Sequence, residues 1–276
     1  SVHFIGKPLA YKWRQTKGRK ELTMGNGSVL TPEQVRELGA AVLQHLPVKI
    51  PPEDYSHWIS HKSELGPALS SILVRQPVQP SVTSNFGAGK KLDDLGRPEF
   101  WAEMWRYLGW EFDPSGLIVP AKQQGYGWLI GMPQGMTDNK SFKINADSFN
   151  CWRWTEDLDA AIVHNDRNSK NGAYFIRVRN RIEADKELKN FSANTLREHG
   201  IQGITHMERE VLEQAVWLVS GKHLDVKNMT LCHGSRSSAG SIPIVDWDSD
   251  DDELYVHWSR PDEARDNLRG RSVVSK

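Results

Sequence analysis

The 276-residue sequence is short of cysteine, of net charge and of long apolar runs, and each shortage removes a class of protein. Two cysteines, Cys151 and Cys232, are too few for a disulfide framework or a four-cysteine zinc site. Lys plus Arg and Asp plus Glu both number 35, so the chain does not coat nucleic acid through uniform basicity. No apolar run approaches the ~20 residues of a membrane helix. Residues 1–10 show neither the basic start nor the apolar stretch of a signal peptide. The compartment is left open: the cytoplasm by default, or a virion or cell surface reached by another route. What the sequence has in excess is tryptophan, eleven against eight phenylalanines and six tyrosines, which points to a Trp-rich core or recognition surface.

Residues 1–20 hold six basic side chains (Lys7, Lys12, Arg14, Lys17, Arg19 and Lys20) and no acid. Thr31-Pro32-Glu33-Gln34 reads as a capping box, and Val35, Leu38, Val42 and Leu46 follow at helical spacing. Two more short helices are expected after Pro51-Pro52 and from about Pro67. The segment 77–89, rich in proline, glycine and small polar residues, reads as a linker. Residues 1–85 thus form a basic stretch with a small helical unit. Beyond it, Trp101, Trp105 and Leu108 mark a helix, 126–132 and 174–178 read as strands, and 155–163 as a helix. Thr205 and Glu208 form a second capping box, opening a helix that stops near Gly221. Residues 86–276 are therefore expected to be an α+β domain.

Several suggestive strings lack a necessary member. Gly87-Ala88-Gly89-Lys90 has Ser84 where a phosphate loop needs its first glycine and Lys91 in place of Ser or Thr. Gly125, Gly127 and Gly131 have the wrong spacing for a dinucleotide fingerprint, and no helix follows. His57 and His61 have no third ligand in view, so a surface pair is expected. Asp246-x-Asp248-x-Asp250 has Asp251 at the glycine position of a calcium hand and His257 at its twelfth. Cys232 and His233, adjacent on a strand, point to opposite faces. No catalytic constellation, resident metal or cofactor is expected.

The C-terminal region carries the signal. Val245 and Trp247 alternate with Ile244, Asp246 and Asp248. Leu254, Val256 and Trp258 alternate with Tyr255, His257 and Ser259. Residues 249–253 join the two runs as a hairpin with an acidic tip. Val245, Trp247, Leu254, Val256 and Trp258 are expected to face inward, and Asp246, Asp248, Tyr255, His257 and Ser259 outward. Nine acids and two arginines between Asp246 and Asp266 give this region a local charge near −7. Asp is a poor strand former and crowded acids repel, so the outward set reads either as a plain solvated face or as side chains chosen for binding.

These residues carry a resemblance. Cys232-x-Gly234-Ser235-Arg236, Gly240, Pro243, Val245-x-Trp247, Leu254-x-Val256-x-Trp258 and Leu268-Arg269-Gly270-Arg271 resemble the variable region of diversity-generating retroelement target proteins. The approach is similar too, through residues 183–190, Ser192-Ala193-Asn194, Gly203-Ile204-Thr205 and 221–225. The likeness runs from about Trp152 to the end, is specific over the last 90 or so residues, and is weak or absent before Pro98.

The resemblance implies a C-type lectin-like fold of the formylglycine-generating-enzyme branch, usually without the lectin calcium site. It also implies a reverse transcriptase that rewrites template adenines, so that AAC or AAT codons yield many residues but not Trp, Glu, Lys, Gln or Met. The expected variable, ligand-binding set lies within about 231–271. It comprises Ser237, Ser238, Ser241, Ile244, Asp246, Asp248, Ser249, Asp250, Asp251, Tyr255, His257, Ser259, Arg260 and Arg265. The expected fixed scaffold is Cys232, Arg236, Val245, Trp247, Leu254, Val256, Trp258, Leu268, Arg269 and Arg271, with Arg236, Arg269 and Arg271 bracing loops. Glu253 and Glu263, which that mutagenesis does not reach, are template-fixed. A non-enzymatic display protein follows, with a protein or other macromolecular ligand, an acidic face favouring a basic one, and no nucleic-acid partner. Two rivals stand beside it: an oxidase related to formylglycine-generating enzymes, which needs a close reactive cysteine pair, and nucleic-acid binding through residues 1–20.

Overall fold

A computed structural model describes residues 86–275 and the isolated Ser56. The expectations for the basic stretch, the three N-terminal helices and the pair His57 and His61 lie outside the described residues.

A short 3-10 turn, Leu92–Gly96, leads into α1, Pro98–Tyr107. Pro98 sits in the first turn, where its missing N–H costs nothing. Phe100, Trp101, Met104 and Trp105 are buried, whereas Leu108 caps the helix. The indoles of Trp101 and Trp105 donate to the carbonyls of Leu95 (3.0 Å) and Gly131 (2.7 Å), so both rings enter the core with their polar atom satisfied. Gly131 lies in β1, Trp128–Met132, and a Cβ there would stand 2.8 Å from Trp101 Cβ. Close packing accounts for that glycine.

Next come α2, Asp138–Ala146, capped by Thr137, and β2, Cys151–Arg153. The helix expected over 155–163 shortens to α3, Leu158–Ala161, because Ile162 turns extended and enters β3, Ile162–Asn165. Pairing of β3 with β6, Ser235–Ser237, overrides the local helical pattern. β4, Tyr174–Val178, lies between β1 and the last strand, β10, Val273–Val274, in an antiparallel sheet. Central position explains why Phe175 and Arg177 are buried along with Ile176 and Val178.

After α4, Ala193–Glu198, the main helix α5 spans His206–Ser220. Thr205 and Glu208 close the capping box in both directions, and Gly221 ends the helix at φ 64°. The larger sheet is mixed, in the order β2-β8-β7-β5-β9, with β5 at Met229–Leu231, β7 at Ile242–Asp248, β8 at Glu253–Ser259 and β9 at Leu268–Gly270. The domain is α+β, as expected. Its main core gathers α1, α5, β1, β4 and one face of the hairpin β7–β8. A second, smaller apolar cluster holds Leu188, Ala193, Leu196, Leu231, Ile242, Ile244 and Leu268.

Helix α5 is buried over most of its length despite its charges. Arg209 donates to Asp225 (2.9 Å) and Glu213 (2.7 Å). Asp225 also accepts from Arg271 (2.9 Å), the Thr230 hydroxyl (2.5 Å) and the Ala184 N–H (2.7 Å). One carboxylate thus ties α5, β5, the backbone at Ala184 and the segment between β9 and β10. On the first turn of α5, His206 Nδ1 lies 2.9 Å from Asp138 Oδ1, and its Nε2 3.5 Å from Glu210. Burial pushes the imidazole pKa down, but the two carboxylates outweigh it and raise it to about 9.

Removing one member of a buried ion cluster strands the rest. Asp225→Ala should lower unfolding free energy by about 3–5 kcal/mol in chemical denaturation. His206 adds a pH signature: its folded pKa lies above the free value, so its stabilisation is complete below about pH 6.5. That stabilisation, on the order of 3 kcal/mol, should fade as pH rises through about 9. Melting curves from pH 6 to 10 should show this slope, and His206→Gln should flatten it.

Candidate ligand-binding surface

The hairpin pairs Val245 with Val256, Trp247 with Leu254, Asp246 with Tyr255 and Ile244 with His257. Period-two geometry therefore sorts its residues into two faces. On the inner face Val245, Leu254 and Val256 are sealed in the main core, and Trp247 is 7% exposed. The Trp247 indole stacks on His223, whose Nδ1 lies 2.8 Å from Glu213, and meets the Phe149 ring edge-on. Trp258 is only partly buried and donates its indole N–H to Thr155 Oγ1 at 2.9 Å.

The outer face is divided along its length. Near the open end of the hairpin it is covered: Ile244 is 0% exposed, packed in the smaller apolar cluster. Ser259 is 3% exposed and donates toward Arg260 O and Glu263 Oε2. These two residues, expected outside, are structural, because residues 188–196 lay a second layer over that half of the sheet. Toward the tip no described residue seals the face, and Asp246, Asp248, Tyr255 and His257 are partly exposed.

The open half is internally braced. Tyr255 donates to Asp251 Oδ2 at 2.7 Å, and this bond, with neighbouring acids, pushes the phenol pKa up. His257 Nε2 lies 3.0 Å from Asp246 Oδ1. Asp248 Oδ1 accepts the N–H groups of Asp250 (2.8 Å) and Asp251 (3.3 Å), so the acid at position 248 makes the turn. Asp252 completes the turn at φ 53°. Burial, then the charges of Asp251 and Asp248, raises the Glu253 pKa. Ser249, Asp250 and Asp251 are exposed at the tip.

The loop after β6 carries the remaining candidates. Ser237 Oγ accepts the Ser241 N–H at 3.0 Å and so closes its own turn, with Gly240 at φ 81° and Ser238 exposed. Arg260 and Arg265 are exposed and pair locally with Asp262 and Glu263. Of the three expected braces, Arg271 performs the role most fully, donating to the carbonyls of Arg181 (3.0 Å) and Ile182 (2.5 Å) besides Asp225. Arg269 reaches Asp266 O at 3.2 Å. Arg236 bonds only to its neighbour's carbonyl, Ser235 O, at 3.4 Å. Leu268 is in the smaller apolar cluster, as a scaffold residue should be.

Two side chains absent from the expected set join this face. β2 pairs with β8 in parallel, Trp152 opposite Tyr255. The Trp152 ring lies 5.3 Å from Tyr255 and 5.8 Å from Trp154. Trp152 is 37% and Trp154 70% exposed. Their sequence neighbourhood, Cys-Trp-Arg-Trp, already shows strand alternation with both tryptophans on one side. The partner strand lies more than 100 residues away, so the spacing alone could not assign the face.

The other motifs have structural uses. Lys90 is 2.5 Å from Glu103 and over the Phe86 ring. Cys232 Sγ points to Thr230 O, and His233 Nδ1 to Leu231 O. Burial pushes both thiols up, and pulls His233 down to about 4. Among the described residues, no helix is long and apolar enough to cross a membrane. No protein-family model, curated protein or solved structure matches the chain.

The division of the hairpin predicts an ordering of stabilities. Trp247→Ala should cost about 3–5 kcal/mol, whereas Tyr255→Ala and His257→Ala should each stay within about 1 kcal/mol of the parent. Equal losses in urea titrations would refute the two-faced assignment.

Proposed function

We propose that the chain is a non-enzymatic ligand-binding protein of the diversity-generating retroelement target type. In this reading its C-type lectin-like domain presents the open half of the β7–β8 face. The observation that carries it is the separation, on one hairpin, of sealed Val245, Trp247, Leu254 and Val256 from open Asp246, Asp248, Tyr255 and His257. A surface that changes residue by residue needs a scaffold indifferent to those residues. Exposed substitutions typically cost within about ±0.5 kcal/mol, against roughly 1.5–3 kcal/mol for a buried apolar side chain.

The meeting of early and late strands in one sheet supports the lectin-like part of the reading. The first and last strands of the domain, β1 and β10, both flank β4, so the chain between them returns to one sheet. The variable set contracts to Ser238, Asp246, Asp248, Ser249, Asp250, Asp251, Tyr255, His257, Arg260 and Arg265, with Ser237 and Ser241 in the loop turn. Ile244 and Ser259 leave it because they are buried. Trp152 and Trp154 precede the variable segment and serve as constant aromatic anchors beside changing neighbours, the arrangement favoured in antibody paratopes. The acids around them select a basic protein partner. Both thiols are held protonated by burial, which weighs against the oxidase rival.

The test is genomic. A near-copy of the segment encoding about residues 231–271 should lie beside a reverse-transcriptase gene and differ from it only at adenines. Its mismatches should fall on the contracted set and spare the codons of Ile244, Trp247 and Trp258. A genome with no such copy would sink the proposal.

A further inference from the structure

A separate pocket, of about 870 Å³, lies at the Trp128 end of β1 and the Val178 end of β4. Its size falls in the range of small-molecule sites, roughly 300–1,000 Å³. Arg177 in its wall is 8% exposed, yet among the described residues it has no ion-pair partner. Two backbone carbonyls hold the guanidinium, Pro120 O on Nε at 2.7 Å and Gly127 O on Nη1 at 3.5 Å. Carbonyls orient a guanidinium but do not neutralise it, and among the described residues Nη2 has no protein acceptor. The side chain is buried along its stem while the charged tip opens to the pocket, which leaves an anionic ligand free to supply the counter-charge.

The rest of the lining points the same way. Among the described residues, Lys122 on the rim has no carboxylate partner either, and the Asn180 amide has no protein hydrogen bond. Asp93 is the one acid of the lining. Trp128, also in the wall, has a buried indole N–H without an acceptor. Glycine lets the lining segments approach closely: a Cβ at Gly127 would stand 3.2 Å from Asn180 Cγ, and one at Gly96 2.8 Å from Gly127 O. Two of the three glycines at positions 125, 127 and 131 thus line a cavity, while the third admits Trp101.

We infer that this pocket binds a small polar molecule through an oxyanion, a carboxylate or phosphate clamped between Arg177 and Lys122. A lone inorganic ion would leave most of the volume empty, so the ligand has a hydroxyl-rich body facing the amides of Gln123, Gln124 and Asn180. The site uses none of the display-face residues and does not depend on the function proposed above.

Calorimetry on the full chain with glucose 6-phosphate, glucuronate and glucose tests this, with the Trp128 indole N–H followed by NMR. At least one of the anionic sugars should bind roughly tenfold or more tighter than glucose, the preference between them identifying the oxyanion, and shift the Trp128 resonance. Lys122→Gln, on the exposed rim, should weaken that binding several-fold with an unchanged melting temperature. Arg177→Lys should abolish it, and if that variant fails to fold, Lys122→Gln decides. Tyr255→Ala should leave it intact. Binding no tighter than that of glucose, a stationary Trp128 resonance, or undiminished binding by Lys122→Gln would each overturn the inference.

Discussion

The domain depends most on the buried carboxylate of Asp225. It takes hydrogen bonds from Arg209 on the main helix, Arg271 near the C-terminus, Thr230 on β5 and the Ala184 backbone. None of the two arginines and one acid is accessible to water to any extent that would screen it. Such charges are tolerable only together, because each satisfies a desolvation cost the others would otherwise bear. The backbone at Asp225 adopts φ 54°, which aspartate accepts more readily than most residues. Segments far apart in sequence are thereby held to one point, and the β5–β7–β8 sheet is built out from it.

That anchoring explains how one hairpin serves two purposes. Its inner face is locked to the core beneath it, with Trp247 stacked on His223, itself tied to Glu213 in the same charged network as Arg209. Its outer face is half sealed by the smaller apolar cluster and half open. The open half therefore needs no packing of its own to stay in place. Its hydrogen bonds are local, Tyr255 to Asp251, His257 to Asp246, and Asp248 to its own turn, and the one distant neighbour described is the Trp152 ring beside Tyr255. Local contacts can be exchanged without disturbing the frame that positions them.

Much of this frame is legible in sequence where the signal is short-range. The capping box of α5 and its terminal glycine, the strand at 174–178 and the period-two hairpin all rest on interactions within a few residues. Where the reading went astray, a distant partner had the deciding role. Ile162 is extended because β6 offers a pairing edge 70-odd residues later. Ile244 and Ser259 obey the alternation, yet their face is covered by residues 188–196, which alternation cannot reveal. The Arg236 side chain, expected as a brace, hydrogen-bonds among the described residues only to its neighbour's carbonyl, whereas Arg271 braces three segments.

By itself the sequence determined which residues of the hairpin share a face, where the main helix begins and ends, and that acids gather near the C-terminus. Backbone periodicity and capping chemistry are properties of neighbouring residues, so they need no knowledge of the rest of the chain. Tertiary structure alone decided which half of the outer face stays open, that Trp152 lies beside Tyr255 with Trp154 next to it, and that Arg177 has no counter-ion among the described residues. Each of those depends on what a second, distant segment does or does not cover. Burial is a relation between segments, and no single segment carries it.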